Sequence, residues 1–388
     1  MRHVEKIQSR IKSLSSIENN NFPFITLYMN VNATHFLEQK EQNRIFLKNA
    51  YNKALKNIQN EFSKENLESL KNDFEKINDY LNEKLNTTIH GIAFFVCEEL
   101  GIFEIFESFI SFENEFVVDL FPHLKQLLYV YDEYEKTLAV LLDSKHAEIF
   151  EIKLGGYISQ KGELKAELES DVYKFHKQGG WSQLRYQRGI QQEKDWHYRE
   201  TALKTTEIFD TESYDNVIIV GIDFEVDNFI KYLPKRVVDK LIDTENYTPE
   251  ENINTLLEKI INDLYKKEKA KEYDIVQNMI QKASSKDGAC LGFDETIDLA
   301  SQGRLDTLIV TKETSKMGFR SGECLYTARG QKKPGCPECN GESKDTDLIE
   351  ELVRLTVKNG GRVELLNKET PSGQKMEEYG GIGGILRY

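Results

Sequence analysis

The residues best suited to chemistry lie in one stretch, DVYKFHKQGGWSQLRYQRGIQQEKDWHYRE (171–200). Gly179 and Gly180 interrupt a run of bulky and basic side chains. A glycine pair permits positive φ and lets the backbone approach another surface closely. After it, Arg185 and Arg188 lie i, i+3, on adjoining positions of a helix face. From Lys174 to Lys204 there are seven Lys or Arg against three Asp or Glu. Tyr173, Phe175, Trp181, Tyr186, Trp196 and Tyr198 alternate with those cations. The combination suits an RNA contact made through phosphates and base stacking. A plainer reading stays open: a surface loop, then a helix whose aromatics are core.

Cysteines form the second group. Cys336 and Cys339 make a CxxC among glycines and lysines, and Cys324 lies twelve residues earlier. Tetrahedral zinc needs four ligands. Three are local, Cys290 is a distant candidate, and no histidine follows His197. A zinc site and a degenerate, exposed turn both fit. A redox CxxC would need a thioredoxin-like setting that is missing. Cys97, in an apolar run, reads as core. No GxxxxGK[ST] and no HExxH is present. Asp143 reads as a strand-end turn residue, without the neighbouring acids of a metal-dependent nuclease.

The elements that must position these residues belong to a chain of 388 residues with a net charge of −14. That length suits two or three domains. No apolar run nears the roughly 18 residues of a membrane span, and MRHVEKIQSRIKSL has no signal-peptide core. A soluble cytoplasmic protein is expected, with no membrane partner. The negative charge argues against indiscriminate nucleic-acid binding but leaves room for a local basic patch.

Periodicity predicts a helix with Val4, Ile7, Ile11 and Leu14 on one face and a strand at 24–31. Amphipathic helices at 37–60 and 66–85 follow, then strands at 89–97, 102–108 and 115–120. QLLYVYD, KTLAVLLD and AEIFEIK read as three successive strands. A helix is expected from about Gln183 to Asp210, then a buried strand at 216–222. Beyond a long helix, 293–311 reads as helix, tight turn and buried strand. A Gly/Cys/Lys-rich insertion occupies 313–345, then a helix (348–358), a strand (362–366) and the tail YGGIGGILRY. The expected domains are 1–125, 126–248 and 249–388.

The order aromatic, Lys, Gly-Gly-x-Ser, then Leu-Arg-aromatic, Arg, Glu-Lys, His-Tyr resembles the peptidyl-transferase-centre loop and following helix of the archaeo-eukaryotic class-1 release factors, whose relatives include Pelota. The Gly-patterned tail 380–388 is similar to the end of their C-terminal domain, and 291–310 to that domain's helix, turn and strand. Residues 126–388 match in order, and the first 125 match in layout. The chain is thus identified as a bacterial homologue with Gly-Gly-Trp in place of Gly-Gly-Gln.

The resemblance implies an α/β (α+β) fold in three domains. These are a mixed α/β N domain facing the decoding centre, a ribonuclease-H-like middle domain carrying the Gly-Gly loop, and an L7Ae-like C domain with the Cys-containing insertion. It implies a ribosomal partner: rRNA, peptidyl-tRNA and stalk-base proteins, with a translational GTPase. Gly179, Gly180 and Trp181 take the catalytic positions for peptidyl-tRNA ester hydrolysis. Lys174, Lys177, Gln178, Gln183, Arg185 and Arg188 would contact rRNA or tRNA. Zinc on Cys324, Cys336 and Cys339 is the one implied cofactor. Trp181 keeps a backbone N–H but not a carboxamide, and neither Asn-Ile-Lys-Ser nor Tyr-x-Cys-x-x-x-Phe occurs in 1–125. Codon-independent rescue or release is therefore expected. The alternative is a non-catalytic factor that protects idle ribosomes.

Overall fold

The computed structural model describes the chain except residues 1–2, 18–20, 32–35, 84–88, 109–110, 133–135, 144, 154–156, 166–180, 212–213, 247–252, 322–323, 327–343 and 388. It divides into two compact units. A frame unit joins Ile7–Glu133 to Lys267–Tyr388, and an inserted unit holds Met1–Lys6 with Tyr134–Lys266.

The frame unit starts from the part of α1 (His3–Ser15) after Lys6, then β1 (Phe24–Asn30), α2 (Phe36–Ile58), α3 (Lys64–Glu83), β2 (Gly91–Cys97), β3 (Ile102–Ser108) and β4 (Glu115–Asp119). The four strands form an antiparallel sheet in the order β3-β2-β1-β4. Period-2 alternation explains its two faces. Ile25, Leu27 and Met29 of β1, with Ile92, Phe94 and Val96 of β2, pack against Leu47, Leu70 and Ile77 of α2 and α3. Tyr28, Phe95 and Phe106 point the other way and meet edge to face. Cys97 is buried, as its apolar run predicted.

Asp73 of α3 is buried near the end of β2. Its Oδ2 accepts from the Glu98 amide at 3.1 Å, while Oδ1 has no partner. Burial pushes the carboxyl from 3.8 up to about 6; the Glu98 amide opposes this and the Glu98 charge adds to it. A carboxyl raised on folding contributes stability at low pH that is lost as pH rises through about 6. Asp73→Asn keeps the acceptor and removes the charge. It should raise stability by about 1–3 kcal/mol near pH 8 and by nothing near pH 4, read from urea midpoints.

QLLYVYD departs from expectation. Lys125–Asp132 is helix α4, not a strand, and belongs to the frame unit. Leu124, Leu127 and Val130 are buried there, a spacing of three that fits a helix. The start of α4 is fixed by Glu350, far along the chain.

In the inserted unit, β5 (Lys136–Leu142), β6 (His146–Lys153) and β7 (Tyr157–Lys165) form the antiparallel meander. The third strand of that meander is β7 rather than QLLYVYD. Helix α5 (Trp181–Thr211) returns the chain to β8 (Asn216–Gly221), and α6 (Asp223–Ile230) and α7 (Lys235–Val238) lead to β9 (Leu241–Asn246). The sheet order is β7-β6-β5-β8-β9, with β8 and β9 parallel to β5, as a ribonuclease-H-like core requires. Tyr198, Ala202, Val226 and Phe229 cover one face. Ile260 and Leu264 of α8 (Ile253–Ser284) cover the other.

The remainder of the frame unit comprises β10 (Ala289–Leu291), α9 (Phe293–Ser301), β11 (Leu305–Thr311), β12 (Met317–Ser321), β13 (Cys324–Tyr326), β14 (Lys344–Asp347), α10 (Leu348–Lys358), β15 (Arg362–Leu366), α11 (Pro371–Glu377) and β16 (Ile382–Leu386). A sheet β10-β16-β11-β15 lies under Val276, Met279 and Met376. The small sheet β13-β12-β14 is built mainly from the 313–345 insertion.

Nine consecutive residues of α10, Leu348–Thr356, are buried, because α10 is shared with the corner between β4 and α4. Glu350 Oε2 accepts from the Leu124 and Lys125 amides at 2.8 and 3.1 Å, where α4 begins. Two guanidinium groups approach the Phe121 ring, Arg320 at 3.7 Å and Arg354 at 4.7 Å from its centroid. Glu351 holds both, at 2.8 and 2.9 Å. His123 Nε2 bonds Asp119 at 3.1 Å. Burial alone would lower its pKa, but that bond and the fields of Glu350, Asp119 and Glu115 hold it up to about 9. Among the described residues no helix is long and apolar enough to cross a membrane.

Candidate functional site

The site is built on α5. Its C-terminal half spans the sheet: residues 197–211 rise about 21 Å, close to the roughly 23 Å of a seven-residue strand such as β5. His197 lies beside the β5–β6 turn, near the His146 backbone. Burial holds this imidazole below its ordinary value, so it is neutral at pH 7. Lys165 pairs with His146, so β7 ends at the same edge. The sixteen helical residues before His197 therefore run about 24 Å past the sheet.

The root of this overhang is tied down. Lys194 Nζ pairs with Glu225 Oε1 of α6 at 2.9 Å, both mostly buried. Tyr198 and Thr201 are fully buried, and Arg199 stacks over the Tyr232 ring at 5.3 Å. Asp143 is a turn residue, as expected: its Oδ1 accepts from the Lys145 and His146 amides at 2.6 and 2.7 Å.

Trp181 is the first residue of α5, and Gln183, Arg185 and Arg188 lie in its first turns. The first four amides of a helix have no acceptor within it and carry the positive end of its dipole. Gly-Gly thus leads directly into a set of aimed N–H groups. Gly179, Gly180, Lys174, Lys177 and Gln178 lie outside the described residues.

The interleaved aromatics sort by helical phase. Tyr198 is core, whereas Trp196 is 68% exposed. Tyr198 and Ala202, four apart, share the buried face.

Of the cysteines, Cys324 starts β13, and Cys336 and Cys339 lie outside the described residues. Cys290 is fully buried in β10, its Sγ 3.6 Å from Thr296 Oγ1, and burial pushes the thiol up to about 11. It packs in the core beside its sheet. No group of three or more His, Cys, Asp or Glu among the described residues is arranged to hold a metal ion.

The family model for bacterial archaeo-eukaryotic release factor family 10 matches residues 122–263, and that for eRF1 domain 3 matches 269–388. The chain belongs to the archaeo-eukaryotic release factor and Pelota superfamily. Peptide chain release factor subunit 1 of Methanocaldococcus jannaschii is 27% identical over 57% of this chain and 60% of its own length. The pelota homologue of the same organism is 22% identical over 65% and 61%. The chain thus spans about 60% of the length of these superfamily members. A ribosome-bound archaeal Pelota aligns over 98% of this chain and 94% of its own, at 13% identity and a TM-score of 0.42. Within the superfamily assignment, the two matched segments meet between residues 263 and 269, inside α8.

Proposed function

We propose that this protein binds the vacant A site of the ribosome and acts in codon-independent rescue or peptide release, promoting hydrolysis of the peptidyl-tRNA ester. The observation that carries the reading is the overhang of α5. Gly-Gly opens into a helix N-terminus about 24 Å beyond the edge of its own sheet. That reach suits a narrow, RNA-walled cavity. The Trp181 amide can donate to charge developing on the ester carbonyl, as an oxyanion-hole donor does. The glycines let the backbone come near the tRNA end. The basic residues Lys174, Lys177, Arg185 and Arg188, with Gln178 and Gln183, would steady rRNA or tRNA around it.

In this reading the partners are rRNA, peptidyl-tRNA, stalk-base proteins and a translational GTPase, and the site of action is the cytoplasm. Its one inorganic component is zinc on Cys324, Cys336, Cys339 and a further ligand. The relatives' names, release factor and pelota, support the ribosomal class.

The deciding experiment is release of labelled peptide from stalled ribosomes, with and without a codon in the A site. Release without a codon is the expected result. Gly180→Ala should lower its rate about a hundredfold, the usual scale for disturbing one oxyanion donor, while sedimentation with ribosomes is retained. Binding without any release would refute hydrolysis. It would favour the second reading, a protective factor on idle ribosomes, which the Trp181 side chain and the missing decoding motifs support.

A further inference from the structure

The outward face of α5 carries two parallel lines of side chains. Trp196 and Leu203, 68% and 73% exposed, are seven residues apart and fall on one line about 10 Å long. They lie opposite the buried line of Tyr198, Thr201, Ala202 and Thr205. Beside them run Glu193, Glu200 and Glu207, also at intervals of seven. All three are exposed. Lys204 pairs with Glu207 at 2.9 Å, while Arg199, stacked over Tyr232, keeps its charge. Glu193 and Glu200 have no salt-bridge partner among the described residues. Two carboxylates against one guanidinium leave the charge beside the apolar line negative.

Two large apolar side chains at heptad spacing on one exposed helix face offer a partner a pair of aligned anchors. Trp and Leu anchors flanked by acids complement an apolar residue flanked by Lys or Arg. RNA would present phosphates to Glu193 and Glu200 and be repelled.

We infer that this face docks a basic protein segment, a helix or extended arm with apolar anchors, and not nucleic acid. The inference rests on the ribosomal reading and divides α5 between two tasks. Its basic N-terminal turns meet RNA, and its root meets a basic protein of the same particle.

The test uses the full chain and purified ribosomes, with affinity read by sedimentation. The double variant Trp196→Ala/Leu203→Ala should bind about tenfold more weakly, as expected for loss of two central anchors. Glu193→Lys/Glu200→Lys should also weaken binding about tenfold. A photoreactive benzoylphenylalanine in place of Leu203 should crosslink to a protein. All these positions point outward, so helical content by circular dichroism should be unchanged. Tighter binding by the charge-reversed variant, or a crosslink to rRNA, would mean an RNA face and overturn the inference. Unchanged affinity in both variants would overturn it too, leaving the ribosomal reading intact. Failure of the parent chain to sediment would remove both.

Discussion

Glu350→Ala should cost about 3–5 kcal/mol and lower the melting temperature of the frame unit by about 10 °C. Two effects add. The Leu124 and Lys125 amides lose their shared acceptor inside a buried corner, and an orphaned buried amide costs about 1–3 kcal/mol. The His123 imidazolium also loses one of the carboxylates that face it. Glu350→Gln retains an acceptor oxygen and should cost a fraction of this. The pH dependence has a definite sign. His123 is raised from 6.5 to about 9, so its contribution is complete below about pH 6.5 and lost as pH rises through about 9. Wild-type stability should therefore decline over that interval. In Glu350→Ala the decline should be shallower and shifted to lower pH, because Glu350 supplies part of the field. Urea midpoints across the range would check both points. A loss under 1 kcal/mol for Glu350→Ala would show that the corner stands without it.

The second large effect is expected in the tail. Gly381 has φ +73°, and a Cβ there would collide with the Thr314 hydroxyl and lie 2.8 Å from Thr311 Oγ1. Thr311 in turn donates to Glu377 Oε1 at 2.8 Å. Gly381→Ala combines left-handed strain of about 1–2 kcal/mol with displacement of this hydroxyl pair, for a total of about 2–4 kcal/mol. Its neighbour is a control. Gly380 has φ +82°, but a Cβ there meets only the Phe293 ring at 3.9 Å. Gly380→Ala should therefore cost about 1 kcal/mol, the strain alone. Gly383 is crowded instead: a Cβ there would stand 2.8 Å from Cys290 O and 3.0 Å from Met279 Sδ. Chemical denaturation of the three single alanine variants should rank Gly381 worst and Gly380 mildest. Equal losses at Gly380 and Gly381 would leave strain as the whole effect.

The tail illustrates what a sequence makes visible. Its glycine spacing is legible because the backbone conformation and close packing demand those residues locally. β1 and β2 are legible for a similar reason, being buried on both faces and mostly apolar. The 3.6-residue stripe of α3 marks Leu70 and Ile77 as core positions from spacing alone. QLLYVYD misleads because its aromatic and β-branched residues favour a strand locally, while Glu350, more than two hundred positions away, secures the start of a helix. β7 escapes notice because YISQKGELK is a polar edge strand without apolar alternation. In the candidate site, the Gly-Gly pair and its cations stand out in composition. The division between exposed Trp196 and buried Tyr198 emerges once the phase of α5 is fixed by its packing. The corner at Phe121 has no local signal, since each partner is an ordinary residue in its own segment.

That corner also sets a schedule for biosynthesis. Residues 119–125 leave the ribosome well before Glu350, which follows Leu124 by 226 positions. At roughly 5–20 residues per second, the gap is on the order of ten to forty-five seconds. Throughout it, the Phe121 ring has neither guanidinium partner and the first amides of α4 lack their acceptor. The inserted unit is complete in sequence during this wait and can fold first. The frame then closes last, and a nascent chain halted before α10 would present an open, apolar seam to chaperones and proteases.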